Sequence, residues 1–207
     1  MKPTRMKHIA LALLVLFTLP AAAADFELGI RHVVSKTMGD SGDLDVPLSR
    51  GFGASAEVFW TPHFSTNAAA SLVNPEAILH PSTPPPDDVD LGTLGLDLYT
   101  LTARWHFTRD ARLTPFAGAG AALVTIGNLD DQFGDVYEAN FDDKLTFVVE
   151  GGLRYRAQEH VMLELGLMYV PLEAEPKVIR ATDPNVALPA KLGLDPLVLS
   201  LGAAWRF

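Results

Sequence analysis

The chain contains no cysteine, which excludes disulfide frameworks, thiolate metal sites and cysteine nucleophiles. After residue 24 it also lacks any apolar run near the roughly 18 residues of a membrane-spanning helix, so a helical membrane protein is excluded. Basic residues are few, with 16 Lys and Arg against 25 Asp and Glu, and this acidity argues against a nucleic-acid partner. Yet 48% of the 207 residues are hydrophobic, so they must be dispersed along the chain.

The N-terminal segment is typical of a bacterial export signal. Its first seven residues carry three basic side chains, residues 9–19 are apolar, and the alanines at 22–24 directly before Asp25 are typical of a cleavage site. We therefore expect 1–24 to be a cleaved signal peptide and 25–207 to form one transmembrane domain. Loss of the three basic residues would change the formal net charge from −9 to −12.

The rest of the chain has the period of β-strands. At 197–207 apolar residues occupy every odd position, and small or polar residues fall between most of them. A period of two indicates a strand whose two faces differ. Similar patterns predict eight strands, near 26–34, 50–60, 64–73, 99–107, 113–126, 145–155, 161–169 and 197–207. Strands of about 10 residues are long enough to cross a bilayer when tilted.

The links between these strands alternate in length. Three are short, at 61–63, 108–112 and 157–159. Four are long, polar and rich in Pro, Gly and Asp, at 35–49, 74–93, 127–142 and 173–193. Outer-membrane barrels have short periplasmic turns and longer outer loops. The sequence therefore predicts an all-β fold, an eight-stranded antiparallel up-and-down transmembrane β-barrel with both mature termini in the periplasm.

The 74–86 segment is too proline-rich for a strand, and one helical turn is expected near Glu76–Leu79. Aromatic residues gather where the short links begin and end, and amphipathic rings favour the boundary between hydrocarbon and water. We expect a periplasmic aromatic girdle formed by Trp60, Phe64, Trp105, Phe107, Phe116, Tyr155, Trp205 and Phe207.

Two parts of the sequence resemble known outer-membrane barrels. The ending Trp205-Arg-Phe207 resembles the terminal strand by which the barrel-assembly machinery recognises such proteins. Leu98-Tyr-Thr-Leu-Thr-Ala-Arg-Trp-His-Phe107 and Thr114-Pro-Phe-Ala-Gly-Ala-Gly120 resemble the fourth and fifth strands of the OmpW family. The pattern at 114–120 also occurs in OmpA-like barrels. The first predicted strand, near 26–34, lacks the proline that the OmpW family commonly carries at the outer end of that strand.

The OmpW resemblance implies a place in the outer membrane of a Gram-negative bacterium. The expected partners are outer-membrane lipid, lipopolysaccharide and, through the strand ending at Phe207, the barrel-assembly machinery. A small hydrophobic ligand is implied as well, and no nucleic acid.

An eight-stranded barrel is only just wide enough inside for side chains, which excludes a general aqueous porin. The alternation predicts polar side chains facing the lumen at Glu27, Arg31, Glu57, Asn67, Arg104, His106, Glu150, Arg154, Glu164 and Arg206. Because buried charges must be paired, we expect a network that fills the barrel. The alternative is a narrow selective pathway lined by these groups.

A second inward set is apolar and is expected in the outer half of the barrel: Val148, Met162, Met168, Val170 and Val198. It would suit a small hydrophobic molecule coming from outside, which is the transport role that the resemblance implies. The sequence thus favours a narrow channel or passive carrier for small hydrophobic molecules or ions. The alternative is a non-transporting structural or adhesive barrel whose outer loops bind a partner.

Neither an enzyme nor a cofactor is indicated. A lipid hydrolase would need a Ser or Asp nucleophile with a positioned histidine at the outer rim, and His80 and Ser82 lie between prolines without a nearby acid. Carboxylates at 40–45 and 130–143 could hold Ca²⁺ or Mg²⁺. The spacing at 130–135 does not match an EF-hand, so we expect solvated loops and no metal.

Overall fold

The computed structural model describes residues 25–38, 44–45, 48–74, 76–79, 89–93, 95–108, 111–126, 137–140, 142–174, 177–180, 187–189, 192–193 and 195–207. The expected signal peptide at 1–24, His80 and Ser82, and the carboxylates at 40, 43, 130, 131 and 135 lie outside the described residues. Within the described part, no helix is long and apolar enough to cross a membrane.

Eight antiparallel strands close into a barrel. They are β1 (Asp25–Thr37), β2 (Ser49–Phe59), β3 (Phe64–Val73), β4 (Leu96–His106), β5 (Leu113–Ile126), β6 (Lys144–Arg156), β7 (Val161–Tyr169) and β8 (Pro196–Arg206). Each strand pairs with its neighbours in chain order, and β1 pairs with β8 to close the ring. The predicted eight-stranded antiparallel barrel is confirmed, and every predicted strand bound agrees to within three residues.

The short links are held by local hydrogen bonds. The Trp60 amide donates to the Phe64 carbonyl oxygen at 3.0 Å, and the Ala157 amide donates to the Val161 carbonyl oxygen at 3.0 Å. The Thr61 hydroxyl oxygen accepts from the Phe64 amide at 3.0 Å, a side-chain bond that favours a turn over a continuing strand. We call this end of the barrel the short-turn end and the opposite end the long-loop end.

The long links contain short strands that the sequence did not predict. Glu76–Leu79 pairs with both Leu44–Asp45 and Val89–Thr93. The expected helical turn at 76–79 is therefore wrong, because these residues are extended between two partners. The flanking prolines lie outside this strand in the sequence, so they remove none of its own amide donors.

Two further groups of short strands lie in the later links. Lys177–Arg180 pairs with Tyr137–Asn140 and Ala187–Pro189, and Glu173–Ala174 pairs with Leu192–Gly193.

The outer face of the barrel is apolar. Leu145 and Phe147 of β6 are 76% and 59% exposed, whereas the next residue, Val148, is fully buried. The same contrast recurs on β7 and β8, where the exposed residues are Leu163, Leu165, Leu167, Leu199, Leu201 and Trp205. An exposed apolar band around a barrel is the surface that lipid chains cover.

The aromatic residues at the short-turn end behave in two ways. Exposed rings are Trp60, Phe64, Trp105, Phe107, Tyr155, Trp205 and Phe207. The expectation that Phe116 joins them is wrong, because its side chain is buried inside the barrel. On β5 the inward positions run through Thr114, Phe116, Ala122 and Val124.

Candidate functional site

The inward positions of the short-turn half carry a set of charged side chains that are shielded from solvent. Seven of the ten predicted lumen residues are at most 8% exposed: Glu27, Arg31, Glu57, Asn67, Arg104, His106 and Arg154. The side chains of the other three, Glu150, Glu164 and Arg206, are 5%, 17% and 19% exposed. Residues that are far apart in the sequence therefore meet in one buried cluster.

Arg104 of β4 is the hub of this cluster. One terminal nitrogen lies 3.3 Å from Glu57 Oε2 and 3.2 Å from Glu164 Oε2, and the other lies 2.8 Å from Glu150 Oε2. Its guanidinium carbon is 4.5 Å from the centre of the Phe116 ring. Arg104 thus links β4 to β2, β6 and β7 across the lumen, and the Phe116 ring of β5 lies against its guanidinium group.

A second arginine repeats the arrangement nearer the strand ends. Arg154 pairs with Glu27, with Glu57 Oε2 at 3.5 Å and with Glu164 Oε2 at 3.3 Å. Arg206 lies 2.7 Å from Glu27 Oε1. Phe59, an inward aromatic residue that the sequence reasoning missed, lies 5.3 and 5.6 Å from these two guanidinium groups. We call the side chains joined by Arg104, Arg154 and Arg206 the charged network.

Hydroxyl groups and one histidine complete the charged network. The Ser65 hydroxyl donates to Glu57 Oε1 at 2.5 Å, and His106 Nε2 lies 2.8 Å from Ser65 Oγ and 3.0 Å from Glu57 Oε1. Thr102 donates to Glu150. In a serine hydrolase one histidine nitrogen contacts the hydroxyl and the other contacts the acid. Here His106 Nε2 lies near both, and the Ser65 hydroxyl donates directly to Glu57. This group therefore has the geometry of a structural network.

Gly118 gives the charged network room against β5. It is opposite Arg104 on one side and Glu150 on the other. A Cβ atom at this position would lie 3.1 Å from Arg104 Cγ and 2.8 Å from the Ala103 carbonyl oxygen. Any side chain at 118 would displace the hub arginine or the wall.

The inward positions of the long-loop half are apolar. A contiguous buried cluster is formed by Val33, Val73, Leu98, Ala122, Val124, Val148, Met168, Val170, Leu172 and Val198. We call it the apolar cluster. The sequence reasoning missed six of its ten side chains, although each continues the alternation of its strand or lies close beyond a strand end: Val33, Val73, Leu98, Ala122, Val124 and Leu172.

Four of the five predicted apolar lumen residues belong to this cluster, and one prediction is wrong. Met162 is buried, but it pairs with Arg156 and Ala204 next to the short turn that begins β7. Met168 lies six positions after Met162, which is about 20 Å of strand at roughly 3.3 Å per residue. The two methionines share a face of β7 at opposite ends of the lumen.

Beside the apolar cluster, the backbone hydrogen-bond ladder between β6 and β7 stops before the end of β6. The backbone ladder that joins them ends at the pair Val149 and Tyr169, whereas β6 continues to Lys144 along β5. Proline at 171 has no amide hydrogen with which to extend the ladder. The Thr146 hydroxyl instead donates to the Pro171 carbonyl oxygen at 2.6 Å.

Comparison with known proteins identifies the family to which this barrel belongs. Residues 9–207 match the family described as outer membrane protein beta-barrel domain. The chain is 29% identical over 107 residues to outer membrane protein AlkL of Ectopseudomonas oleovorans, a match that spans 52% of this chain and 44% of that protein. The chain thus matches less than half the length of that relative.

Solved barrels have the same fold. OprG from Pseudomonas aeruginosa superposes with a TM-score of 0.77 at 16% identity, covering 89% of this chain and 96% of OprG. Outer membrane protein W of E. coli gives 0.54 at 16% identity, covering 91% and 100%. The expected resemblance is confirmed, and the chain belongs to the outer membrane protein beta-barrel domain family as an OmpW-like, eight-stranded barrel of the outer membrane.

Proposed function

We propose that this chain is a passive uptake route for small hydrophobic molecules, with the long-loop end facing outside. The observation that carries the proposal is the division of the lumen into an apolar half and a charged half. An apolar molecule gains about 25 cal/mol for each Å² of surface that it removes from water. The apolar cluster, with Val148 and Val170 fully buried, offers it such a surface.

The charged network makes ion conduction the weaker alternative. Arg104 and Arg154 together bind Glu27, Glu57 and Glu164 across the lumen. A passing ion would have to separate these pairs, and leaving one buried partner alone costs about 3–5 kcal/mol. The proposed substrate is therefore uncharged or largely apolar.

Because the ion pairs of the charged network close the short-turn half of the lumen, the molecule would leave through the barrel wall. We place its exit between β6 and β7, where the backbone ladder stops at Val149 and Tyr169. Val148 and Leu172 line the inner side of this region, and Phe147 lies exposed on the outer side. An apolar molecule passing there would move from one apolar environment to another, the hydrocarbon of the membrane.

The proposal is tested by uptake and by conductance. Cells producing the chain should take up labelled octane faster than cells without it, and the purified barrel in a planar bilayer should show no single-channel current. Val148→Trp should remove the uptake because the indole fills the apolar half. Leu145→Trp, the same kind of change on the outer face of the same strand, is the matched control and should leave uptake intact.

Two outcomes contradict this proposal. Ion current without octane uptake would favour a narrow ion pathway. Neither current nor uptake, together with wild-type behaviour of Val148→Trp, would favour the structural or adhesive alternative.

The proposed partners follow from the same orientation. Lipid would cover the apolar band, and lipopolysaccharide would surround the long-loop end. Residues 1–24 would direct export, leaving both mature termini in the periplasm. Phe207 is 68% exposed beside Phe26, with ring centres 6.0 Å apart, and is thus accessible for recognition by the assembly machinery.

A further inference from the structure

Arg104, Arg154 and Arg206 each form ion pairs inside the barrel, whereas among the described residues Arg31 forms none. Its side chain is buried, and its Nε atom has no hydrogen-bond partner. Within the described part of the chain, no carboxylate forms an ion pair with it. A buried cation without a direct counter-ion is energetically unfavourable and needs a reason.

The position of Arg31 supplies that reason. On the inward face of β1 it lies between Glu27 of the charged network and Val33 of the apolar cluster. Its partners in the neighbouring strands are both glycine, Gly53 and Gly202. A Cβ atom at Gly202 would lie 3.0 Å from Arg31 Cβ, so the absence of a side chain there leaves space around the base of the arginine.

We propose that Arg31 binds the carboxylate of a small amphiphile whose apolar tail lies in the apolar cluster. This inference rests on the proposed uptake function and names one class among its largely apolar substrates: molecules with an apolar tail and one anionic head, such as medium-chain carboxylates. The planar guanidinium can donate two parallel hydrogen bonds to a carboxylate. Val33, two residues further along the same face, is the first apolar side chain that the tail meets.

Hexanoate and hexanamide form a matched pair of probes, because they share a tail and differ in the charge of the head. The barrel is labelled at its valine methyl groups, placed in lipid nanodiscs at neutral pH and titrated with each compound while the Val33 signal is followed. A charge-assisted bond in a buried site should make hexanoate bind about tenfold tighter than hexanamide. The Arg31 Nε–H signal should shift with hexanoate.

Three variants make the test specific. Arg31→Gln should remove the preference for hexanoate and leave hexanamide binding within about twofold of wild type. Arg31→Lys keeps the charge without the planar fork and should retain part of the preference. Arg50→Gln removes the same charge from an exposed site on β2 and should behave as wild type.

The outcomes separate this inference from the function on which it rests. Equal binding of hexanoate and hexanamide by the wild type, or unchanged hexanoate preference in Arg31→Gln, would overturn the role of Arg31 while leaving hydrophobic uptake intact. If Arg31→Gln does not fold, the wild-type comparison and the Arg31 signal still decide. Failure of both probes to perturb Val33 would overturn this inference, and octane uptake by the same barrel would decide the proposed function separately.

Discussion

The two halves of the barrel lumen stabilise the same eight strands through different interactions. In the short-turn half, Arg104 and Arg154 hold carboxylates from β1, β2, β6 and β7 at fixed distances and angles. In the long-loop half, branched and sulfur-containing side chains fill the space without directional bonds. Burial drives the second kind of contact in proportion to area and with little dependence on orientation.

This difference indicates which half can change its contents. Ion pairs in a buried site are costly to break one at a time, so the charged network holds the strands in one register. Apolar side chains can exchange contact with one another for contact with an apolar guest at small cost. A barrel of this width thus combines a rigid closed half with a half that can accept a ligand.

Replacing the hub of the charged network should have the largest effect. Arg104→Leu leaves Glu57, Glu150 and Glu164 without their shared partner, and we expect the free energy of unfolding to fall by about 3–5 kcal/mol. Urea unfolding of the barrel in lipid vesicles measures this. Arg50→Leu, at an exposed arginine, should change the value by no more than about 0.5 kcal/mol. Similar losses for the two variants would mean that the network contributes no specific stability.

A truncation in the apolar half should cost less. Met168→Ala leaves a cavity in the apolar cluster, and a loss of about 2–3 kcal/mol is expected in the same unfolding measurement. Leu165→Ala, on the outer face of the same strand, loses burial in lipid but leaves no cavity because lipid chains fill the space. Its loss should be smaller by about 1 kcal/mol, and equal losses would show that the cluster is loosely packed.

The smallest effect is expected from single hydroxyl groups. Ser65→Ala removes the 2.5 Å bond to Glu57 and should lower the free energy of unfolding by about 1 kcal/mol. Ser200→Ala removes only a 3.4 Å contact with the Gly166 carbonyl oxygen and should be nearly neutral. Were Ser200→Ala the more damaging of the two, the stronger coupling assigned to the charged half would be wrong.

The faces of the strands could be predicted from the sequence wherever the two faces differ in polarity. On β6, Leu145 and Phe147 alternate with residues that point inward, and the structure places them outside. On β5 alanine and glycine occupy every position from 117 to 122, so no contrast in hydrophobicity marks the inner face there. Phe116 was consequently assigned to the girdle, although it lies inside under Arg104.

Depth and partnership could not be predicted in the same way. Alternation gives a side chain its face, whereas its depth follows from the bounds of its strand: Met162 was expected in the outer half, although the predicted strand 161–169 begins directly after the short link 157–159. The pairs of the charged network join residues that are 46 positions apart for Arg104 and Glu150 and 127 apart for Arg154 and Glu27. No local pattern records such contacts.

The sequence by itself determined the strand number, the order of long and short links and the apolar outer surface, because a period of two and turn residues act locally. Only the tertiary structure decided which charges meet, that the polar and apolar inward residues separate into two halves, and that the buried Nε of Arg31 has no hydrogen-bond partner among the described residues. The physical reason is closure. When β1 pairs with β8, side chains from distant strands face one another across a narrow lumen, and their positions there depend on the register of all eight strands.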